Sequence, residues 1–546
     1  MSKVDKKAYL DVYNNWKWNV PEYYNFAFDV VDKWAKTDKT KLALVSILAD
    51  GKTAKYDTFY ELMVQSNKVA NLFLELGFKK GDNILIISDS IPEWYYCMLG
   101  MFKLGIVPMP GTTLLTTDDI EYRLNRSEAV GVITNLKYTP SIDEALTKYK
   151  NIKHKILLDG SKPGWIELTE KMKEMPITLD ISKIPKTKSS DPLMIYFTSG
   201  TTGHPKMVLH THAYPLGHEV TAKFCQGLLP TDLHWTVSDT GWAKCAWGKL
   251  FGQMIVGAAI IQWNNPGRFN AEGLLGLMER YGVTTFCAPP TVYRMLIQTD
   301  LSQFKLSLRH CMAAGEPLNP EVIRVWKDNF HLDIYDFFGQ TETVALLSNY
   351  TFLPLRFGSV GLPTPGHVVR VIDENLKECS VNEEGQIALY LDKGKPKPPG
   401  LMKEYWKDPD IMASAFQGDY YLTGDKAYRD EDGYFWFIGR DDDVIKSSGY
   451  RIGPFEVESV LIEHPAVAES AVVGVDDPDG IRGILVKAFV VLAKGYEPSD
   501  ELTKEIQEFV KSRTAPYKYP RIIEYRENLP KTVSGKLLRR KLRKQG

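Results

Sequence analysis

The segment TSGTTGHPKM, residues 198–207, decides how the rest of this chain is interpreted. It follows the apolar run LMIYF and combines hydroxyl side chains with two glycines and one lysine. Glycines let backbone N–H groups approach phosphate oxygens, and hydroxyl and ammonium groups add further donors. It is not the P-loop G-x-x-x-x-G-K-[ST], because Pro205 precedes Lys206 and Met207 follows it. The segment therefore predicts a phosphate-binding loop of another type, with an ordinary surface turn as the alternative.

Length and composition indicate a globular protein of several folding units. The chain has 546 residues, of which 44% are hydrophobic and 25% are charged. Its formal net charge of −1 gives no whole-molecule field that would favour nucleic acid or a membrane surface. The longest apolar run, residues 251–263, is shorter than the ~20 residues that a membrane-spanning helix needs. We therefore expect no nucleic-acid partner and no membrane span.

The N-terminus and the cysteines indicate the compartment. The first residues contain no apolar signal core, and the first arginine is Arg123, whereas mitochondrial transit peptides are rich in arginine. The six cysteines are scattered and form no C-x-x-C pair, which favours reduced, buried thiols over disulfides or zinc ligands. These features predict a cytoplasmic protein.

A strand–turn–helix pattern repeats through about the first 440 residues. NILIIS (83–88) precedes a predicted helix at 92–104, and LDIYDFF (332–338) follows a predicted helix at 319–330. This alternation predicts open, mostly parallel sheets covered by helices. Ligands bind such sheets at the carboxyl ends of the strands. The candidate binding loops are therefore residues 198–206, 315–317 and 339–342.

The pattern changes near residue 440, where GRDDDVIKSSGYRIGP has the polar, glycine-containing composition of an exposed connection. A compact stretch with two predicted strands and two predicted helices follows it. We therefore predict an α/β protein with a large N-terminal domain, residues 1–440, and a small mobile C-terminal α/β domain, residues 441–546.

Five segments together resemble the signature motifs of the AMP-forming adenylating superfamily. This superfamily includes acyl-CoA synthetases, luciferases and the adenylation domains of peptide synthetases. The motifs occur in the family's order and span nearly the whole chain. They are YFTSGTTGHPK, FFGQTE (337–342), YLTGD (421–425), GRDDDVIKSSGYRI (439–452) and PKTVSGK (530–536).

The resemblance implies a reaction in two steps. ATP first activates a carboxylic acid to an acyl-adenylate with release of pyrophosphate, and coenzyme A then takes the acyl group. ATP, Mg²⁺ and coenzyme A are the implied cofactors and co-substrates. No carrier domain follows residue 546, which favours free coenzyme A as the acceptor.

The resemblance also assigns the residues of the first step. Lys536 and Thr341 are the implied catalytic donors to the α-phosphate, and Glu342 is the implied Mg²⁺ ligand, a hard oxygen for a hard cation. Asp425 and Arg440 would hold the ribose. The remaining nucleotide contacts are Thr198, Ser199, Gly200, Thr201, Thr202, Gly203, Lys206, Gly315, Glu316, Pro317, Asp336, Phe337, Gly339 and Gln340.

The second step uses residues after 440. The resemblance places the hinge between the two domains at Asp442. The implied contacts of coenzyme A are Ser448, Gly449, Tyr450 and Arg451 along its arm, with Arg482, Lys511 and Arg521 at its phosphates.

The acyl pocket is predicted from Gly339 and from SDTGWAKCAWGK. Acetate-specific members of the superfamily have tryptophan where this chain has Gly339, so the acyl tunnel should continue here, as in the medium-chain branch. Trp242, Lys244 and Trp247 would narrow its far end and favour short to medium, including branched, acids. The alternative is that the two tryptophans are core aromatics.

Three histidines also stand close together in the sequence. His210 and His212 in VLHTH, with His218 nearby, have a spacing that a metal site could use. On a strand, residues 210 and 212 share one face, which favours ordinary packing or ligand-lining over a metal role.

Two other functions remain open. One is a non-catalytic protein that binds adenine nucleotides, and the other is an adenylating ligase for an aromatic acid. The predicted partners are a small carboxylic acid and coenzyme A, and a homo-oligomer is left open.

Overall fold

A computed structural model describes residues 5–198, 205–265, 267, 269–316, 318–440, 443–447, 450–477, 484–515, 518–531 and 537–543. Only the backbone is described at residues 446, 450 and 451.

The strands of these residues are numbered in chain order. They are β1 (Leu42–Ile47), β2 (Ala54–Thr58), β3 (Asn83–Ile87), β4 (Val107–Gly111), β5 (Gly131–Thr134), β6 (His154–Leu157), β7 (Ile166–Glu167), β8 (Pro192–Thr198), β9 (Lys206–Thr211), β10 (Leu233–Thr236), β11 (Ala259–Trp263), β12 (Thr285–Ala288), β13 (His310–Ala314), β14 (Ile334–Gly339), β15 (Ala345–Ser348), β16 (Ser359–Pro363), β17 (Val368–Ile372), β18 (Gly385–Tyr390), β19 (Glu404–Tyr405), β20 (Phe416–Gln417), β21 (Tyr420–Arg429), β22 (Phe435–Arg440), β23 (Ile445–Ser447), β24 (Tyr450–Ile452), β25 (Val467–Asp476), β26 (Ile484–Leu492) and β27 (Ile522–Tyr525).

The α-helices are numbered in the same way. They are α1 (Lys7–Asn15), α2 (Asp32–Thr37), α3 (Phe59–Glu75), α4 (Pro92–Leu104), α5 (Thr117–Ser127), α6 (Thr139–Lys148), α7 (Leu168–Glu174), α8 (Tyr214–Val220), α9 (Ala243–Lys249), α10 (Phe251–Val256), α11 (Ala271–Tyr281), α12 (Pro290–Leu296), α13 (Pro320–Phe330), α14 (Pro409–Ala415), α15 (Pro454–Ile462), α16 (Asp500–Arg513) and α17 (Arg539–Arg543). Short π-helices cover Ala27–Val31 and Thr221–Cys225, and 3₁₀ turns cover Leu136–Tyr138, Ile181–Lys183 and Leu301–Gln303.

Two parallel sheets confirm the predicted α/β class. Strands β4-β3-β5-β6-β7 form one of them. In the other, β14, β13, β12, β10, β11 and β1 run parallel in that spatial order. Helices cover the sheets because apolar residues at helical spacing bury one face, as in α11, where Leu274, Leu275, Leu277 and Met278 are buried.

Helix ends follow local signals in the sequence. Helix α4 spans the predicted residues 92–104, with Pro92 in its first turn and Gly105 beyond its end at a φ of 69°. Thr58 begins α3 with a capping box. Its side chain accepts from the Glu61 N–H, and the Glu61 carboxylate accepts from the Thr58 N–H. Asn319 caps α13, and its side-chain oxygen accepts from the Glu321 N–H.

The repeat of strand and helix ends earlier than expected. The prediction that it continues to about residue 440 is wrong for residues 345–440, where β15, β16, β22, β21, β18 and β17 extend the large sheet in antiparallel order. Antiparallel strands need only short turns between them, and α14 is the one α-helix in residues 345–440, all of which are described. Strand β18 is buried along its centre, with half-buried residues at its second and last positions.

The remaining sheets are small. Strand β9 lies between β8 and β19 in a three-stranded antiparallel sheet. After residue 442, β23 and β24 form a hairpin, and β25-β26-β27 form a sheet that α15 and α16 cover with a separate apolar core. We name the described residues between 443 and 543, which contain these two sheets, the small unit. The boundary predicted at residues 440 and 441 remains a prediction.

All six cysteines are buried and unpaired, as predicted. Burial raises the pKa of the Cys225, Cys245 and Cys311 thiols to about 12. Within the described parts of the chain, no helix is long and apolar enough to cross a membrane.

A buried ion pair joins α2 to α4. The Lys103 ammonium lies 2.9 Å from Asp32 Oδ1 and donates to Asn67 Oδ1 at 2.7 Å, and the Lys103 side chain is completely buried. A charge in such a place depends on its partner, because it has lost its hydration.

We expect Asp32→Asn to destabilise the protein by about 3–5 kcal/mol, because it leaves the Lys103 charge buried without a counter-charge. Chemical denaturation at pH 7 measures the change in the free energy of unfolding. The matched control is the double variant Asp32→Leu with Lys103→Met, which removes both charges and should lose far less. Equal losses in the single and double variants would contradict this account.

Candidate active site

A cleft of about 1110 Å³ lies at the carboxyl ends of β13 and β14, between the large sheet and the small unit. It brings together residues from all five motifs, which are up to 333 positions apart in the chain (531 − 198). The predicted site residues that line it are Thr198, Lys206, Gly315, Glu316, Asp336, Phe337, Gly339, Gln340, Thr341, Glu342, Asp425 and Arg440.

The small unit forms the opposite wall of this cleft. Helix α15 contributes Pro454, Phe455, Glu458, Ser459 and Ile462 to the lining. The Asn319 side-chain amide donates to the Ser459 carbonyl at 3.2 Å, a direct bond between the cap of α13 and the small unit. Lys531 and Leu537, the described residues on either side of the predicted catalytic lysine, also line the cleft.

Several predicted residues lie outside the described part of the chain. They are Ser199, Gly200, Thr201, Thr202, Gly203, Pro317, Asp442, Ser448, Gly449, Arg482 and Lys536. Tyr450 and Arg451 belong to β24, and only their backbone is described.

Gln340 connects the FFGQTE segment to the ribose motif. Its side-chain amide donates to Asp425 Oδ2 at 2.5 Å and to the Thr423 carbonyl at 2.7 Å. The Tyr421 hydroxyl donates to Gln340 Oε1 at 2.8 Å, which fixes the orientation of the amide. Asp425 and Arg440 stand opposite each other in the pairing of β21 with β22. The carboxylate is thus held at the cleft by neighbours from both motifs.

Glu342 has one carboxylate oxygen bonded within the protein. The Tyr405 hydroxyl donates to Glu342 Oε1 at 2.7 Å, and the Lys206 ammonium lies 5.1 Å from the centroid of the Tyr405 ring. Among the described residues, no three His, Cys, Asp or Glu side chains converge to hold a metal. A single carboxylate fits Mg²⁺ all the same, because proteins bind this ion through one or two carboxylates together with substrate phosphates.

Asp336 is buried in the wall formed by β14. Burial raises the pKa of its carboxyl to about 8, although the backbone N–H groups of Leu318 and Phe337 and the nearby Lys244 act in the opposite direction. No described residue gives its Oδ1 a hydrogen bond. The site therefore holds a protonated carboxyl at neutral pH, which can both donate to and accept from a bound ligand.

Glu316 is held by α12. The Thr291 hydroxyl donates to Glu316 Oε1 at 3.0 Å, and Arg294 Nη2 lies 3.4 Å from Glu316 Oε2. Arg294 itself lines the cleft. Thr291, Arg294 and Tyr405 are not predicted from the sequence, because none belongs to one of the five motifs. For Thr291 the sequence offers one signal: α12 begins directly after the parallel strand β12, and ligands bind at the carboxyl ends of such strands.

The three histidines are buried, and the metal alternative gains no support. His210 lies on β9, where burial lowers its pKa to about 3, so the ring is neutral. Its Nε2 lies 2.7 Å from the Thr341 carbonyl, and its ring stacks on Tyr214 with centroids 3.7 Å apart. The His218 ring packs edge-on against Tyr214, with the ring centroids 4.5 Å apart. This is the packing role that the sequence favoured.

The tryptophans of the predicted acyl pocket lie behind the cleft rather than on its described surface. Trp242 precedes α9, which places Lys244 and Trp247 three residues apart on a helix as expected. Lys244 donates to the Ala314 carbonyl at 2.8 Å, and Trp247 packs edge-on against Phe337 at 5.3 Å. None of the three belongs to the described lining of the cleft.

Gly339 lines the cleft and also has a reason in the backbone. A Cβ at this position would lie 2.5 Å from the Val344 carbonyl oxygen, because β14 and β15 approach closely at an irregularity in their pairing. Glycine is therefore needed here for packing, whatever its effect on an acyl tunnel.

Lys511 and Arg521 share one aromatic ring in the small unit. Arg521 donates to the Tyr519 hydroxyl at 2.8 Å and lies 4.8 Å from the ring centroid, and Lys511 lies 5.6 Å from that centroid. Neither residue lines the cleft as described. Their contact with coenzyme A remains a prediction.

A partly buried network of ions lies in the wall of the small unit that lines the cleft. Arg539 forms a bidentate pair with Glu458, with distances of 2.9 and 2.7 Å, and lies 3.5 Å from Asp443. Arg543 also pairs with Asp443. The network joins α15 and α17 to the first described residue after the predicted hinge.

Comparison with known proteins identifies the family. The AMP-binding enzyme family matches residues 31–406, and the AMP-binding enzyme C-terminal domain matches residues 456–536. The chain belongs to the AMP-binding enzyme family, which confirms the resemblance seen in the motifs. Individual relatives within this family have more specific names than the family itself.

The chain is 45% identical to acyl-coenzyme A synthetase ACSM3, mitochondrial, of Rattus norvegicus over 548 residues, covering 98% of this chain and 93% of the relative. It is 44% identical to 4-hydroxybutyrate–CoA ligase 1 of Metallosphaera sedula, covering 96% of this chain and 90% of the relative.

Solved structures agree with the fold. The anthranilate CoA ligase AuaEII in complex with anthranoyl-AMP superposes with a TM-score of 0.88 at 31% identity, covering 96% of this chain and 98% of that one. The acyl-CoA synthetase of Brucella canis has a TM-score of 0.76 at 34% identity, covering 98% of both chains. The predicted α/β fold with a large N-terminal and a smaller C-terminal domain is thereby confirmed.

We expect Asp336→Asn to stabilise the ligand-free protein at alkaline pH. An unfolded aspartate ionises near pH 3.8, whereas Asp336 retains its proton to about pH 8. Between these values the unfolded state releases a proton that the folded state keeps, so the wild-type stability falls as pH rises. Asparagine removes that loss, which from pH 5 to pH 8 amounts to no more than about 4 kcal/mol at 1.36 kcal/mol per unit.

Chemical denaturation at pH 5 and pH 8 measures this difference. Asp410→Asn, a change at an exposed position, serves as the matched control and should show the pH dependence of the wild type. A wild-type and Asp336→Asn pair with the same pH dependence would mean that Asp336 is ionised in the folded protein.

Proposed function

We propose that this protein is an AMP-forming acyl-CoA synthetase that activates a short- to medium-chain carboxylic acid, including branched ones. One observation carries the proposal: the cleft gathers Lys206, Thr341, Glu342 and Asp425 opposite the wall of the small unit that contains Lys531 and Leu537. The family and the relatives named as acyl-CoA synthetases support ATP and coenzyme A as substrates.

The first half-reaction makes the acid reactive. A carboxylate resists nucleophiles, because it is negatively charged and oxide cannot leave. Attack of a carboxylate oxygen on the α-phosphorus of ATP forms an acyl-adenylate, and the bond from the α-phosphorus to the bridging oxygen of pyrophosphate breaks. Positioned donors and cations stabilise the charge that spreads over the α-phosphate. The Thr341 hydroxyl, Lys206 and Lys536 are the proposed donors.

The other cleft residues hold the nucleotide. Asp425, fixed by Gln340, accepts hydrogen bonds from the ribose hydroxyls, and Arg440 stands beside it. Gly315, Glu316 and Asp336 form the proposed adenine wall. Glu342 would hold Mg²⁺, which when bound neutralises phosphate charge.

The second half-reaction transfers the acyl group. The thiol of coenzyme A attacks the acyl carbonyl, the bond from that carbon to the AMP oxygen breaks, and the thiol proton leaves to solvent. By family resemblance the small domain rotates about Asp442 between the two half-reactions, so that residues 448–451 approach the same cleft. Arg482, Lys511 and Arg521 are the proposed phosphate contacts of coenzyme A.

The identity of the acid is the most specific part of the proposal. Gly339 leaves the tunnel without the tryptophan of acetate enzymes, and a relative at 44% identity is named for 4-hydroxybutyrate. An aromatic acid is the second candidate, because a structural neighbour at 31% identity holds anthranoyl-AMP. We propose a cytoplasmic location, and a homo-oligomer remains open.

ATP–pyrophosphate exchange across a panel of straight, branched and aromatic acids tests the proposal. We expect the rate to rise from acetate to butyrate or 2-methylbutyrate, since each buried methylene contributes about 0.8 kcal/mol, and then to fall for dodecanoate. Preference for benzoate or anthranilate would replace the acid class. Trp247→Ala should shift the optimum to longer acids, because Trp247 packs behind Phe337, which lines the cleft.

We expect Lys536→Ala to separate the two half-reactions. The lysine is proposed to act on the α-phosphate, so its loss should reduce pyrophosphate exchange by at least about 100-fold, the effect of one positioned donor in a transition state. Conversion of supplied acyl-adenylate and coenzyme A to thioester should stay near the wild-type rate. Lys504→Ala, at an exposed lysine of α16 outside the described lining of the cleft, is the matched control. Equal loss of both half-reactions would contradict the assigned role.

A further inference from the structure

We infer that His210 is a positioning residue for the first half-reaction, because it holds the Thr341 carbonyl and thereby aims the Thr341 and Glu342 side chains into the cleft. The inference rests on the proposed roles of Thr341 and Glu342. It assigns a function to a histidine that the reaction itself does not use.

The loop between β14 and β15 is held by its backbone carbonyls. His210 Nε2 lies 2.7 Å from the Thr341 carbonyl oxygen, and the Met402 N–H donates to the Glu342 carbonyl at 2.7 Å. A carbonyl oxygen only accepts, so His210 Nε2 must carry the hydrogen. With both carbonyls turned into the protein, the two side chains are left at the cleft, whose lining includes both residues.

The His210 ring is itself fixed. It is completely buried, stacks on Tyr214 at 3.7 Å, and its Nδ1 has no hydrogen-bond partner among the described residues. Within the described part of the chain, the hydrogen bond of this ring therefore goes to the loop. A histidine that served packing alone would have no need of a donor aimed at that carbonyl.

Strand β9 relates this bond to the phosphate loop. Lys206 begins the strand, and residues 206, 208 and 210 share one face because strand side chains alternate. Four residues of strand span about 13 Å, so the strand fixes the distance between Lys206 and His210. Tyr405 of β19 pairs with Val208 of β9, and the Tyr405 hydroxyl donates to Glu342. Strand β9 thus sets the distances among Lys206, the Thr341 carbonyl that His210 holds, and Glu342.

Two substitutions remove the donor and one restores it. His210→Phe keeps a ring that can stack on Tyr214, His210→Leu removes the ring, and His210→Gln supplies an amide N–H of similar reach. His212→Phe is the matched control, because His212 is equally buried, lies two residues away, and has no described hydrogen bond from its ring to the loop.

We expect His210→Phe and His210→Leu to reduce kcat/KM for ATP in pyrophosphate exchange by about tenfold, the effect of one lost hydrogen bond. Thioester formation from supplied acyl-adenylate should stay within about twofold of wild type. His210→Gln should recover most of the exchange, and His212→Phe should match the wild type.

The inference is overturned if exchange survives in the Phe and Leu variants, if both half-reactions fall together, if Gln does not rescue, or if neither Phe nor Leu folds. Glu342→Gln, measured in parallel, separates the two levels of the argument. Full exchange in Glu342→Gln would refute the proposed role of the loop, whereas loss in Glu342→Gln with full exchange in His210→Phe would refute only the role of His210.

Discussion

The pairing of β9 on both of its edges is the constraint on which the proposed phosphate site depends. Its hairpin with β8 brings the two ends of the TSGTTGHPK segment together, with Thr198 opposite Lys206. Its other edge carries β19, whose Tyr405 reaches Glu342. A strand bonded on both sides cannot slide without losing ladder hydrogen bonds, so groups from three distant segments keep fixed separations.

The large sheet supplies the second part of the geometry. Strands β13 and β14 are parallel neighbours, so the residues that follow them emerge at one edge. The change to antiparallel pairing at β15 then returns the chain across the same edge, which lets β21 and β22 deliver Asp425 and Arg440 to it. The proposed nucleotide site lies where these two kinds of pairing meet.

Much of this could be predicted from the sequence where the signal is local. Helix α4 has proline at its start and glycine at its end, and α13 begins at a similar signal, so their bounds agree closely with expectation. The antiparallel half could not be predicted in the same way, because its pairings join strands far apart in the chain. The bond from Gln340 to Asp425 spans 85 residues, and only the family resemblance placed both in one site. Trp247 shows the opposite limit. The segment SDTGWAKCAWGK left a pocket aromatic and a core aromatic as alternatives, and only tertiary structure shows the packing of Trp247 behind Phe337.

The burial of all six cysteines has a practical consequence for measuring this protein. A thiol reacts with disulfide reagents as the thiolate, and burial both shields these sulfurs and holds their protons. The native protein should therefore contribute almost no background when a colorimetric thiol reagent is added to an assay mixture. Consumption of coenzyme A can then be followed directly as the loss of its sulfhydryl, without first modifying or mutating the protein.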